Sequence, residues 1–158
     1  KKKSKNRYTG IEVLNLMLNY EIEQAEEKTI RVNCAVEAYL CPVYETELCI
    51  IMGNLFDNAI EAVKDLPDEQ RQIDFAIQNP NGIFRIEILN PYEGERRKIE
   101  HHYLTTKKEN TEMHGLGLMS VQKIVEKYDG LIEISDEDNV FRVVVSFYDE
   151  EVRDSAGT

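Results

Sequence analysis

The chain has 158 residues, 42 % of them apolar, enough for one domain with a single core. Its formal net charge is −11 and its isoelectric point about 4.8, which weighs against general nucleic-acid binding. No apolar run reaches the ~20 residues that a membrane-spanning helix needs, and no secretory leader is visible, so the chain as given is expected to be soluble.

Three cysteines, Cys34, Cys41 and Cys49, are odd in number and lack a paired C-x-x-C spacing. They read as buried, reduced thiols of a cytoplasmic domain rather than a metal cluster. The first seven residues are strongly basic, with Lys1, Lys2, Lys3, Lys5 and Arg7. Residues 1–8 read as a solvated linker, with membrane contact as the alternative. Thr9-Gly10-Ile11-Glu12 has the T-x-x-E form of a capping box. It opens a helix to about Lys28, with Ile11, Leu14, Met17, Leu18, Ile22 and Ala25 on one face. Residues 29–37 are strand-like, with Ile30, Val32 and Cys34 on one side, and a loop holding Pro42 follows.

Residues 45–66 carry a second helical signature. Leu48, Ile51, Met52, Leu55, Ala59, Ala62, Val63 and Leu66 recur at the spacing of one face, and Leu66-Pro67-Asp68 ends the segment. Asn54, Asn58, Glu61 and Asp65 form another stripe, with the two asparagines one turn apart. Asparagine is an indifferent helix former because its amide competes for the backbone. The pair reads either as solvated surface or as a ligand site, since an amide oxygen is a hard, neutral donor suited to Mg²⁺ when phosphates supply the charge.

A hairpin comes next. Ile73, Phe75 and Ile77 alternate, Asn79-Pro80-Asn81-Gly82 turns the chain, and Phe84, Ile86 and Ile88 return toward Asn90-Pro91. Residues 91–113 show little apolar periodicity, and a connection this long is functional or disordered. From Glu93 to Met113 it holds five basic and five acidic residues, a neutral stretch in an acidic domain. His114-Gly115-Leu116-Gly117-Leu118 then precedes a helix with Leu118, Val121, Ile124, Val125 and Tyr128 on one stripe, closed by Asp129-Gly130. Two glycines before a helix fit a plain turn; they also fit an anion site, where backbone N–H groups and the positive dipole end converge. A last hairpin spans residues 131–147, with Asp136 to Asn139 as its turn, and residues 150–158 form a polar tail. These elements predict an α/β fold: a two-layer α/β sandwich with a mixed sheet of about five strands, covered on one face by about three helices.

N-x-x-x-N followed by A-x-E-A, at residues 54–62, resembles the N box of the GHKL superfamily, the Bergerat-fold ATP-binding proteins. The G-x-G-L at Gly115, Leu116, Gly117 and Leu118 resembles its second glycine box. The likeness covers roughly residues 9–147, within a domain placed at residues 9–149, and implies the same sandwich with a long ATP lid over residues 91–113. It implies that Asn58 holds Mg²⁺ bridging the ATP phosphates, and that the glycine box contacts those phosphates. Hydrolases of the superfamily carry Glu at the position of Asn54. An amide cannot act as a general base, so Asn54 points instead to the sensor histidine kinases.

Asn90 stands where the family has the Asp of D-x-G-x-G, which accepts from the adenine amino group; an Asn still accepts, without charge assistance. Thr105-Thr106-Lys107 resembles the lid motif of many kinases, making Lys107 a candidate phosphate contact. His114, beside the glycines, is a candidate donor to phosphate, while His101 and His102 read as polar lid residues. The reduced Asn90 box, Glu61 where many kinases have Lys, the HGLGL form and the segment over residues 9–28 together resemble the peptide-pheromone, AgrC-like sensor kinases of quorum sensing. The implied function is a catalytic domain that binds Mg·ATP and passes the γ-phosphoryl group to a histidine on an upstream dimerisation domain, with a response regulator downstream. The isolated domain is then a monomer, and its parent a homodimeric membrane sensor. The alternatives are a GHKL ATPase and a non-catalytic nucleotide-binding module.

Overall fold

A computed structural model describes residues 12–38, 41–93 and 116–148. In these residues three helices and five strands follow one another: α1 Glu12–Glu27, β1 Arg31–Glu37, α2 Glu45–Val63, β2 Gln72–Gln78, β3 Ile83–Pro91, α3 Leu116–Lys127, β4 Leu131–Glu137 and β5 Val140–Tyr148. The strands form one sheet in the order β1-β2-β3-β5-β4. β1 and β2 are parallel, joined by the crossover through α2, and every other pairing is antiparallel. The mixed five-stranded sheet under three helices is the expected two-layer α/β sandwich.

Period-two alternation builds the sheet. Ile73, Phe75 and Ile77 on β2, Phe84, Ile86 and Ile88 on β3, and Phe141, Val143, Val145 and Phe147 on β5 are all buried toward the helices. Leu14, Leu18 and Ala25 of α1, the buried side chains of α2 from Leu48 to Val63, and Leu118, Val121 and Val125 of α3 close on them. The rings of Phe56 and Phe75 meet at 4.8 Å between centroids, tying α2 to β2, an aromatic contact worth ~0.5–1.5 kcal/mol beyond area burial. On the opposite face charges and amides are paired instead: Asn33 donates to Asp74 at 2.8 Å, and Glu87 receives Arg142 and Arg85.

Both helix-to-strand joints on the sheet's flanks use the same closure. At the end of α1 the Ile30 N–H returns to the Ala25 carbonyl (3.0 Å) past Thr29, whose φ is 56°. At the end of α3 the Gly130 N–H returns to the Val125 carbonyl (2.8 Å) past Asp129, whose φ is 55°. Each is a bond from the residue beyond the left-handed position to the third-last helical carbonyl. The left-handed position after α3 is therefore Asp129 rather than the glycine. Gly130 is needed for space: a Cβ there would lie 2.5 Å from the Ser146 carbonyl oxygen.

Several boundaries differ from the sequence reading. α2 ends at Val63, and Leu66 caps the core from the following turn, with its N–H on the Val63 carbonyl. The last hairpin turns on Asp138 and Asn139 alone, both with positive φ (57° and 61°), so β4 runs on through Asp136 and Glu137. β3 continues through Asn90 and Pro91, and Tyr92 is buried against the sheet's end with its N–H on the Asn139 carbonyl. The cysteines are not the buried thiols expected: Cys34 is exposed on the edge strand β1, and Cys41 and Cys49 are half-buried. β1 has a neighbour on one side only, which leaves Cys34 open although its partner Phe75 is buried. Thr9 of the expected capping box and most of the expected lid lie outside the described residues.

Two glycines should respond oppositely to alanine. Gly130→Ala drives a methyl into the β5 backbone and should cost about 1–3 kcal/mol. At Gly53, inside α2, a Cβ meets nothing nearer than 3.9 Å, so Gly53→Ala should stabilise by about 0.5–1 kcal/mol. Urea denaturation of both variants checks the pair.

Candidate nucleotide site

The site begins with a close approach of two helices. α2 and α3 pack side by side and run in opposite senses, with Glu47 near the start of α2 bonded to Lys127 and Tyr128 at the end of α3. At the other end of α3, a Cβ on Gly117 would sit 3.0 Å from Asn54 Oδ1 and 3.6 Å from its Cγ. A residue with a side chain at 117 would push the Asn54 amide aside. Gly117 is the second residue of α3, so the N–H groups of the first helical turn, which have no intrahelical acceptors, gather beside that amide. Asn54 Nδ2 donates to the Ile50 carbonyl at 2.9 Å, which fixes the amide and turns Oδ1 toward α3. Asn58 follows one turn later, half-buried, on the same side of α2.

Asn90 supplies the third element. It continues the inward series Phe84, Ile86, Ile88 on β3 and is only 3 % exposed, a polar side chain where the sheet otherwise presents apolar ones. Its Nδ2 donates to the Pro91 carbonyl at 2.8 Å, leaving Oδ1 as the acceptor. α2 returns to β2 over residues 64–71 and so runs in the same sense as β3. The end of β3 bearing Asn90 thus lies toward the end of α2 bearing Asn58 and Ala62, the side from which α3 starts.

Residues 44–148 match the family described as the GHKL domain. The chain belongs to this GHKL family. Among its relatives, a probable C4-dicarboxylate sensor kinase of Halalkalibacterium halodurans is 29 % identical over 96 residues, which cover 60 % of this chain and 18 % of that protein. The chain thus spans about a fifth of the length of this curated relative. The catalytic domain of histidine kinase ThkA superposes with a TM-score of 0.67 at 17 % identity, over 87 % of this chain and 92 % of that one. The mycobacterial sensor histidine kinase MprB gives the same TM-score, identity and coverages. Acinetobacter baumannii AdeS gives 0.64 at 13 % identity, over 88 % of this chain and 64 % of that one. These structures share the fold.

Of the residues singled out in the GHKL motifs, the fold brings Asn54 and Gly117 into contact, with Leu118 buried at the first turn of α3 and Asn58 and Asn90 at the same end of the helical layer. Leu116 is the first residue of α3. Lys107, His114 and Gly115 lie outside the described residues, as do His101 and His102. A groove of about 320 Å³ lies elsewhere, on the outer face of β1, β2 and β3 beside Asn33, Ala35, Asp74 and Ala76. The helices and the three asparagines are on the other face, so this groove has no part in the site.

Two features went unread in the sequence. Tyr128, taken as part of an apolar stripe, uses its hydroxyl as well. It donates to Glu47 and accepts the N–H of Tyr44 at 3.2 Å, serving the start of α2, where no side chain caps the helix. Its ring meets Phe147 edge-on at 5.9 Å. The bond from Lys127, then that from Tyr128, holds the Glu47 carboxyl below the usual carboxylate range, while burial and the bond to Glu47 push the Tyr128 phenol up. The second feature is Glu21, an acid that α1 buries against α2. Its signal was present: position 21 is four residues after Met17 and four before Ala25, within the apolar face.

Gly117→Ala should leave the fold intact, because a side-chain amide can yield, yet weaken binding of a Mg·ATP analogue about tenfold, or ~1.4 kcal/mol; isothermal titration reads it. The clamp at the far end should show in acid. A carboxyl with a depressed folded pKa contributes stability that is present above its ordinary value, near 4.5, and lost as the pH falls through the folded value. Glu47→Gln should therefore be less stable than the parent at pH 7, with the gap closing in acid, as thermal melting across pH will show.

Proposed function

We infer that this chain is the ATP-binding catalytic domain of a sensor histidine kinase. The observation that carries the reading is the seating of Gly117 against Asn54, which brings the asparagine helix and the start of α3 side by side and supports an anion site between them. In this site Asn58 supplies a hard amide oxygen for Mg²⁺, the N-terminus of α3 faces the phosphates, and Asn90 accepts from the adenine amino group. The donor set fits Mg²⁺ bound with a nucleotide: neutral amides leave the charge balance to the phosphates, whereas a self-sufficient cation site would need several carboxylates. When bound, Mg²⁺ offsets phosphate charge and orients the chain of phosphates.

Residue 54 separates transfer from hydrolysis. Its amide accepts no proton at neutral pH, and Nδ2 is already engaged by the helix backbone, so water is not activated there. An imidazole nitrogen of a separate phosphoacceptor domain attacks the γ-phosphorus in line. The N–P bond forms, the bond from the γ-phosphorus to the β–γ bridging oxygen breaks, and ADP leaves with that oxygen. Catalysis is then positioning and charge neutralisation, the usual division of labour in phosphoryl transfer. Lys107 and His114 complete the proposed contacts from the lid and the glycine box.

On this reading the basic residues 1–8 lead from an upstream dimerisation domain, residues 9–149 form the catalytic unit and residues 150–158 a tail. The parent is a homodimeric membrane sensor serving a response regulator. Among the described residues no helix is long and apolar enough to cross a membrane. At the level of branch, Glu61, Asn90 and the HGLGL form support the peptide-pheromone kinases of quorum sensing.

Mixing the chain with a histidine-bearing dimerisation domain and labelled ATP should yield acid-labile, alkali-stable phosphohistidine; steady release of phosphate in place of transfer would refute the reading. Asn58→Ala should abolish the Mg²⁺ dependence of nucleotide binding.

A further inference from the structure

Glu21 is a carboxyl that the phosphoryl-transfer chemistry leaves unused. It is 3 % exposed at the seam between α1 and α2. Its Oε2 lies 3.9 Å from where a side chain on Gly53 would begin, and Asp57, one turn further along α2, is the charged group that acts on it. Gly53 and Asp57 immediately precede Asn54 and Asn58. One turn of α2 therefore shows positions 53 and 57 to Glu21, and positions 54 and 58 to the nucleotide side.

No cation among the described residues answers this charge. Lys64, further along α2, engages Glu61 at 3.1 Å. The α1 residues one turn away from Glu21 are Met17, Leu18, Gln24 and Ala25, all uncharged. Burial opposes ionisation and Asp57 adds repulsion, raising the Glu21 pKa to about 7; burial raises that of Asp57 as well.

We propose that Glu21 is a positioning residue for the nucleotide site: wedged between α1 and residues 53–57 of α2, its carboxyl sets the negative charge standing behind Asn54 and Asn58, and Mg·ATP binds best when that carboxyl carries its proton. The proposal rests on the assignment of Asn54 and Asn58 to Mg·ATP. Because Mg·ATP is a net anion, an ionised Glu21 beside Asp57 opposes its binding, and by reciprocity bound nucleotide favours the protonated carboxyl. The sign for folding follows from the same shift. A carboxyl raised above its ordinary value contributes stability fully present below pH 4.5 and lost as the pH rises through about 7.

The test measures affinity for a fluorescent Mg·ATP analogue, and the melting midpoint, from about pH 5.5 to about pH 8.5. The parent's affinity should fall about threefold or more across the interval. Glu21→Gln, which shares every other titration including that of the nucleotide, should stay near the parent's low-pH affinity and melt above the parent at the alkaline end. Glu21→Asp should retain a pH-dependent affinity. Asp57→Asn, which lifts the repulsion at nearly unchanged side-chain volume, should move the midpoint of the fall to lower pH. Parallel curves for the parent and Glu21→Gln, or an unmoved midpoint in Asp57→Asn, overturn the proposal. Failure of the underlying site assignment looks different: the affinity of Asn58→Ala would then keep the parent's Mg²⁺ dependence at every pH.

Discussion

Where the N-terminal end of helix α3 lies against α2, the Asn54 amide is seated on Gly117, in space that a side chain at 117 would take. That contact determines most of what the domain presents. With Asn54 Oδ1 3.0 Å from the place of a Cβ, there is no slack for any larger residue without moving the amide. The N–H groups of α3's first turn, which have no acceptors within the helix, come to the same place as the Asn54 amide of α2, and the proposed anion site needs both elements. The far end of the helix pair is held by different chemistry: Glu47, Lys127, Tyr128 and the N–H of Tyr44 bind one another across the start of α2 and the end of α3. A polar clamp at one end and a steric fit at the other fix how the two helices lie together. The sheet beneath, packed through Phe56, Phe75 and the inward side chains of β3 and β5, supplies the platform.

An acidic domain that takes a polyanion has to manage charge locally. With a formal charge of −11, long-range attraction does not bring nucleotide in. The proposed site answers with neutral amides, a helix N-terminus and a bridging cation. Glu61, on the same stripe as the two asparagines, is paired with Lys64 at 3.1 Å. Burial holds Glu21 toward its protonated form just behind that stripe. Asn90 follows the same pattern on the sheet: a neutral acceptor in a nearly sealed position, where an ionised carboxylate would need compensation.

The strands and the apolar helix faces were legible because their periods are simple and long. Alternation over residues 73–77 and 84–88 located the hairpin, and the stripe from Leu48 to Val63 located α2. Asn54, Asn58 and Gly117 were legible as motifs, but their contact was not, since it joins residues 63 positions apart through the packing of two helices. Errors fell where local signals compete. Asp129-Gly130 closes α3 as read, but the roles within the pair were not legible: Asp129 takes the positive φ and Gly130 gives clearance from Ser146. Cys34 alternates correctly with buried neighbours and is nonetheless exposed, because an edge position is not encoded in period two. Tyr128 and Glu21 were hidden by averaging: both sit in apolar stripes, where a hydroxyl or a carboxyl counts as noise until its partners across the seam are seen.

The central claim is that the amide of Asn58 and the start of α3 together hold a metal-bound triphosphate beside Asn54. A crystal structure of the chain with Mg²⁺ and a non-hydrolysable ATP analogue tests it most directly. The account predicts the cation at about 2.1 Å from Asn58 Oδ1, with phosphate oxygens accepting from the first N–H groups of α3. A cation bound away from Asn58, or phosphates that leave the start of α3 uncontacted, would contradict it.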